Sequence, residues 1–311
     1  LKGKLIIGTR GSQLALWQSE WVKREIESKF PSVTIDLQVI KTKGDKILDS
    51  PLSKIVDKGL FTREIEYALL DSRIDLAVHS LKDIPTETPK GLTIGAITKR
   101  DDVRDVFISK KYNSLDELPK AAKIATGSLR RKAQLLHYRP DLNLVDIRGN
   151  LNTRFKKFDE SDWDGMILAY AGVERLGLSD RIKQIIPTDI ILPAVGQGAL
   201  AVEVREDDRE VQAIVKRIHH AQTAFCAVAE RGFLKFLEGG CQVPIAAYAR
   251  VEKGKLKLDG MIGSLNGDRI IRGSTSGDKS EAESLGARLG RQLYQNGGAD
   301  ILKEIRMITT S

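Results

Sequence analysis

The chain has 311 residues, 50 Lys+Arg against 42 Asp+Glu for a net charge of +8, and 41% hydrophobic residues. That length predicts two or three domains. No apolar run reaches the roughly 18 residues of a membrane span, and two cysteines exclude a disulfide framework and fit a reducing, cytoplasmic compartment.

In chain order, residues 4–9 (KLIIGT) read as a first strand, and no leader pattern is expected at Leu1. Arg10-Gly11-Ser12 follow, with Ser12 as the N-cap of a helix over 13–29 whose apolar positions are Leu14, Trp17, Trp21 and Val22. Residues 34–41 alternate as a second strand. Residues 42–51 are polar and contain glycine, a loop, and lead to a helix over 62–70.

The stretch 76–85, LAVHSLKDIP, carries the clearest chemistry. It begins as a buried strand and turns polar at its carboxyl end, where α/β sheets bind ligands. Asp83 beside Lys82 can hold a cation, move a proton, or simply pair with the lysine, and spacing leaves these open.

A further strand over 92–96 and a charged connector over 99–104 close the first unit. A second unit reads as strand 106–109, helix 114–118, strand 123–125, helix 129–138, strand 143–147, a helix to 158, strand 166–169 and a short helix 171–176. Strands alternating with helices imply largely parallel, doubly wound sheets. PAVGQGAL (193–200) is small and flexible, a return crossing after which 200–204 rejoins the first sheet. Two such units joined by crossing segments would leave a cleft.

The tail differs. A helix over 223–237 ends at Gly239-Gly240, strands over 246–251, 256–262 and 270–274 alternate with Asn266-Gly267 as a turn, and a helix over 280–294 closes a small α+β domain with an antiparallel sheet.

One design recurs three times: a strand, a glycine-containing turn, then a helix start with arginine, in IIGTRGSQLA, IATGSLRRKAQ and VDIRGNLNTR. Helix N-termini expose unpaired N–H groups, and arginine adds bidentate pairing to carboxylate or phosphate. Residues 126–154 carry a net charge of +4. No phosphate-cradling GxxxxGK[ST] or GxGxxG follows a strand, so a nucleotide is disfavoured. Aromatic residues are only 5%, which disfavours single-stranded nucleic acid. Dispersed arginines suit a ligand with several carboxylates. Cys241, in EGGCQVP, sits on a tight loop, where Lys235 could favour the thiolate. Cys226 reads as core. Neither the cysteine spacing nor His79, His137, His219 and His220 form a metal-ligand array, so no metal is expected.

ERGFLKFLEGGCQVPIA resembles the cofactor-attachment signature of the porphobilinogen deaminase (hydroxymethylbilane synthase) family. GTRGSQLALWQ, KGLFTREIE, HSLKDIP, ATGSLRRKAQ, RGNLNTR and LPAVGQGAL resemble that family's other blocks in the same order. Gln13 stands where the family often has proline, a tolerable change at a helix start.

The resemblance implies a transferase that condenses four porphobilinogen molecules, releasing ammonia, on a dipyrromethane primer held through a thioether to Cys241, and that then releases hydroxymethylbilane. Asp83 would be the acid/base group. Arg10, Ser12, Lys82, Thr126, Ser128, Arg130, Arg131, Arg148, Arg154 and Arg175 would hold cofactor or substrate carboxylates. Ser80 and Gln197 would line the cleft, with Gln18, Gly149 and Ala169 also at the site and Lys54, Lys58 and Phe61 beside a covering loop. The implied fold is two domains resembling type II periplasmic binding proteins (1–98 with 199–216, and 104–192) and a third, 221–311, bearing the cysteine. A monomer without nucleic-acid or membrane partners is expected. The competing reading is a non-catalytic two-lobed receptor for a dicarboxylate or other anion.

Overall fold

A computed structural model describes residues 3–46, 59–238 and 243–310. Cys241, Lys54 and Lys58 lie outside the described residues. The chain opens with β1 (Lys4–Thr9), α1 (Gln13–Lys29), β2 (Thr34–Val39), α2 (Lys43–Lys46), α3 (Arg63–Leu70), β3 (Leu76–Ser80) and β4 (Leu92–Ile97). It continues with β5 (Asp105–Ile108), β6 (Lys123–Ala125), α4 (Leu129–Tyr138), β7 (Asn143–Val145), α5 (Leu151–Glu160), β8 (Gly165–Ala169), α6 (Tyr170–Arg175) and β9 (Ile182–Ile186). The remainder gives β10 (Leu200–Arg205), α7 (Arg209–Val215), α8 (Ala221–Phe236), β11 (Ile245–Glu252), β12 (Lys255–Gly263), β13 (Ile270–Gly277), α9 (Ala282–Leu293) and α10 (Ala299–Thr310). Among the described residues, no helix is long and apolar enough to cross a membrane.

Two compact units result. The first holds described residues 3–46, 59–101 and 198–224. Its sheet runs β2-β1-β3-β10-β4, parallel except for β10, which is antiparallel to both neighbours. Strands buried on both faces read as near-continuous apolar runs, as β3 and β10 do. Leu5, Ile7, Val22, Ile26, Val202 and Ile214 fill one face, and Ile65, Leu69, Ile74 and Ala77 fill the other under α3.

The second unit holds 102–197 and the described part of 225–310. Its larger sheet runs β7-β6-β8-β5-β9, again with the fourth-placed kind of strand, β5, antiparallel to both neighbours. Each five-stranded sheet therefore admits one reversed strand next to a chain crossing: β10 after residue 198, β5 after residue 102. The doubly wound expectation, including the return of 200–204 to the first sheet, is met. The smaller sheet, β11-β12-β13, is an antiparallel meander covered by α8, α9 and α10 around Phe233, Leu258, Leu285 and Leu289. It packs within the same unit through Leu192 against Ala246 and Met261. The expected Asn266-Gly267 turn is present: Gly267 takes φ +74°, and a Cβ there would lie 2.3 Å from the Ala133 carbonyl oxygen of α4.

Local expectations fail in identifiable places. Residues 114–118 form turns, not a helix. So short a segment gains little from helix formation by itself, and Arg139 takes the carbonyls of Leu115 and Leu118 at 2.8 and 3.0 Å. The second strand stops at Val39. α2, which falls within the expected 42–51 loop, and β9, α7 and α10 are additional elements. The helix at 282–293 is followed by a break at Gly297 (φ +107°), after which α10 begins.

Glycine sets how closely α8 and α9 meet. A Cβ at Gly286 would lie 2.1 Å from the Ala229 carbonyl oxygen and one at Gly232 2.6 Å from that of Glu283, so the two backbones touch. Gly286→Ala is expected to cost about 1–3 kcal/mol by overpacking, read from urea unfolding. Gly3→Ala, with nothing within 4 Å, serves as the control. A wild-type midpoint for Gly286→Ala would contradict this crossing.

Candidate active site

In the first unit, β3 ends at Ser80 and the chain turns through a 3-10 segment, Leu81–Asp83. Leu81 is buried, and its N–H donates to the Ala199 carbonyl at 3.0 Å. That anchor holds the turn at the sheet's edge while Lys82 and Asp83 stay exposed. A small pocket there is lined by Arg10, Ser12, Gln18, Phe61, His79, Ser80 and Asp83, among others. It gathers residues from the carboxyl ends of β1 and β3, the start of α1 and the approach to α3. Gln18 Nε2 donates to Ser80 Oγ at 2.9 Å, which fixes one wall.

Among the described residues, no ion pair or hydrogen bond engages the Asp83 carboxylate, so Lys82 does not neutralise it. Behind the pocket, His79 Nε2 lies 3.4 Å from Glu203 Oε2, both buried. Glu66 of α3 stands on the same side. Burial first, and then the nearby Glu203, push its carboxyl above the usual value.

Arg10 and Ser12 come to the pocket already engaged. The Arg10 guanidinium pairs with Asp45 of α2, Nε to Oδ1 at 3.1 Å, and lies 4.3 Å from the Phe61 ring centroid. Asp45 also accepts from Thr42 N and Oγ1 at 3.2 and 2.8 Å. Burial raises its pKa, but the bonds from Arg10 and Thr42 outweigh burial and hold the carboxyl below its usual 3.8. Ser12 caps α1 as expected, accepting from Ala15 N at 3.3 Å.

In the second unit, Thr126 and Ser128 precede α4. Ser128 sits at the N-cap but its side chain accepts no backbone bond, whereas Asn150 caps α5 from Thr153 N at 2.9 Å. Of the three helix starts singled out by sequence, α4 alone keeps its N-terminal amide donors uncapped by its own N-cap side chain. Gly149 has φ +113°, and its carbonyl accepts from Arg154 Nε at 2.8 Å. Arg148 Nη1 is buried with no hydrogen-bond partner among the described residues. Arg175 ends α6, buried, and Ala169 is that helix's N-cap.

Arg130, Arg131 and Gln197 are buried, not solvent-facing. All three converge on Asp105, which sequence reading treated only as the start of a unit. The available signal was an acid opening the wholly buried strand DVFI. Sequence reading also passed over Asp45. Two guanidiniums against one carboxylate leave one surplus positive charge. Together with the open start of α4 and the unpartnered Arg148 Nη1, that suits a ligand with several carboxylates.

A family model described as "Porphobilinogen deaminase, dipyromethane cofactor binding domain" matches residues 5–213, and one described as "Porphobilinogen deaminase, C-terminal domain" matches 224–295. A porphobilinogen deaminase of Chlorobium phaeobacteroides is 54% identical over 310 residues, covering 98% of this chain and 99% of that one. One from Chloroherpeton thalassium is 55% identical with the same coverage. Among solved structures, a methionine-binding lipoprotein from Bacillus subtilis gives a TM-score of 0.44 at 13% identity, covering 71% of this chain and 92% of its own. That likeness says nothing of a ligand.

The Asp45 bonds generate a pH signature. A carboxyl lowered in the folded state stabilises fully above its unfolded value and loses that contribution as pH falls through the folded one. Asp45→Asn is expected to cost about 1–2 kcal/mol at pH 7, with the gap to wild type narrowing toward pH 3 in urea unfolding. An equal gap at both pH values would contradict the assignment.

Proposed function

The chain belongs to the porphobilinogen deaminase family, and from that premise we propose how its residues divide the work. The enzyme is a transferase of tetrapyrrole biosynthesis: it joins four porphobilinogen molecules, losing ammonia each time, and releases hydroxymethylbilane. Its cofactor is dipyrromethane. We assign the thioether to Cys241. When bound, the primer would supply the terminal pyrrole carbon from which the chain is started.

Asp83 is the acid/base group in this reading. Loss of ammonia leaves a porphobilinogen-derived cation, and a carboxylate facing pyrrole N–H groups stabilises positive charge there. The same Oδ atoms take up the proton released when the newly bonded carbon regains aromaticity. The observation that carries this role is that no described residue is paired with Asp83, although Arg10 lines the same pocket. A carboxylate already committed to Lys82 could not move protons freely.

Arg10, Ser12, Gln18 and Ser80 then orient substrate beside Asp83, with Lys82 adding charge. Arg10 exchanges Asp45 for an incoming carboxylate. Thr126, Ser128, Arg130, Arg131, Arg148 and Gly149 hold the primer's carboxylates, Arg148, Arg154 and Arg175 hold those of substrate units, and Ala169 and Gln197 line the substrate site. Lys54, Lys58 and Phe61 belong to a covering loop. The three-part domain division, a monomeric state, a cytoplasmic location and the absence of nucleic-acid or membrane partners complete the proposal. A non-catalytic anion receptor is not favoured, because a receptor has no use for the GGCQVP loop.

Asp83→Asn is expected to keep the fold and the attached primer while kcat falls at least about 100-fold. Near-normal turnover would remove Asp83 from its role. Cys241→Ser is expected to show the mass of the bare polypeptide, while active wild type carries two added pyrrole units. Active wild type at the bare mass would defeat the cofactor assignment.

A further inference from the structure

Within the second unit, one buried carboxylate touches three residues that the functional reading gives to anion binding. Arg131 Nη2 donates to Asp105 Oδ1 at 2.8 Å, Gln197 Nε2 donates to the same oxygen at 2.9 Å, and Arg130 Nη2 lies 2.9 Å from Oδ2. Asp105 is fully buried and both arginines are 6% exposed.

Each guanidinium has a second anchor. Arg130 Nη1 donates to the Leu192 carbonyl at 2.6 Å, and Arg131 Nη1 donates to that of Ile167 at 3.1 Å. Held at two edges, neither can swing to meet a ligand, so whatever they bind must come to a fixed geometry. Arg131 Nε remains buried with no hydrogen-bond partner among the described residues.

The charge count is also fixed. Burial raises the Asp105 carboxyl, but the two guanidiniums outweigh burial and hold it well below the ordinary carboxylate range, so it is anionic at any working pH. Two cations and one anion leave +1 away from water, which is costly until an anion meets it.

We propose that Asp105 is a positioning residue for primer attachment: it fixes Arg130 and Arg131 as a rigid pair carrying one surplus positive charge, matched to one carboxylate of the pyrrole chain. The inference rests on the functional reading above. Asp105 touches no ligand in this account and acts through the arginines. Gln197 extends the same device, since it also donates to the Val103 carbonyl at 2.7 Å and so ties residues 193–197 to the pair.

The test uses the full-length apoprotein, made in cells that supply no porphobilinogen. Porphobilinogen is added and the two-unit mass gain is followed by intact-mass spectrometry, with and without sulfate as a competing anion. Folded Asp105→Asn is expected to load at least tenfold more slowly. Its surplus charge becomes +2, so sulfate should inhibit loading at a concentration at least fivefold lower than in wild type. A purely structural role would not move the sulfate value in that direction.

Loading at the wild-type rate by folded Asp105→Asn, or an unchanged or higher sulfate value, overturns the proposal. If Asp105→Asn does not fold, Gln197→Met removes one neutral donor and leaves the charge count at +1. It should load at least threefold more slowly with an unchanged sulfate value, and wild-type loading by that variant overturns the proposal equally. Wild type that never gains the two-unit mass would instead refute the functional reading itself.

Discussion

A carboxylate sealed from water between two guanidiniums is the constraint on which the second unit depends. Isolated charges cannot stay buried at tolerable cost, so Asp105, Arg130 and Arg131 must meet, and their meeting fixes much else. It pins the first turn of α4 against the start of β5 and brings the 192–197 segment across through Leu192 and Gln197. A buried ion cluster of this kind is weak evidence of stability, because apolar replacements often do as well. In the proposed reading its use is an uncompensated positive charge at a defined place.

The two units handle charge differently. In the first, Arg10 is occupied by Asp45 and the α1 start by Ser12, while among the described residues no ion pair or hydrogen bond engages Asp83. In the second, the cations outnumber their internal partners and the α4 start lacks its side-chain cap. A reaction that creates a transient cation on a polyanionic chain needs both conditions. Under the proposed function, the carboxylate with no described partner serves the cation, and the surplus positive charge of the second unit serves the acidic arms. If all were mutually neutralised, the fold would gain little and the chemistry would lose its groups.

Backbone geometry explains why these groups sit where they do. The parallel strands of each doubly wound sheet deliver their carboxyl ends to the same edge, and a helix that follows begins there with unpaired amides. Thr9 to Ser12, Ser80 to Asp83, and Ala125 to Ser128 are three instances of one rule. Gly149 adds a local exception. It takes a positive φ, and its carbonyl accepts from Arg154 Nε, which restrains that side chain.

The sequence by itself determined the elements whose cause is local. Strand alternation, the 13–29 helix with its Ser12 cap, the Gly267 turn and the polar end of β3 depend on residues a few positions apart, so periodicity and capping reveal them. The helix expected at 114–118 failed because its carbonyls went to Arg139, more than twenty residues away. Tertiary structure alone decided which charges neutralise one another. Arg130 and Arg131 read as ligand arginines from their motif, yet both are buried against an acid 26 positions from Arg131 and 92 from Gln197. Pairing of that kind follows from distance in space and exclusion of water, neither of which is written in the order of the residues.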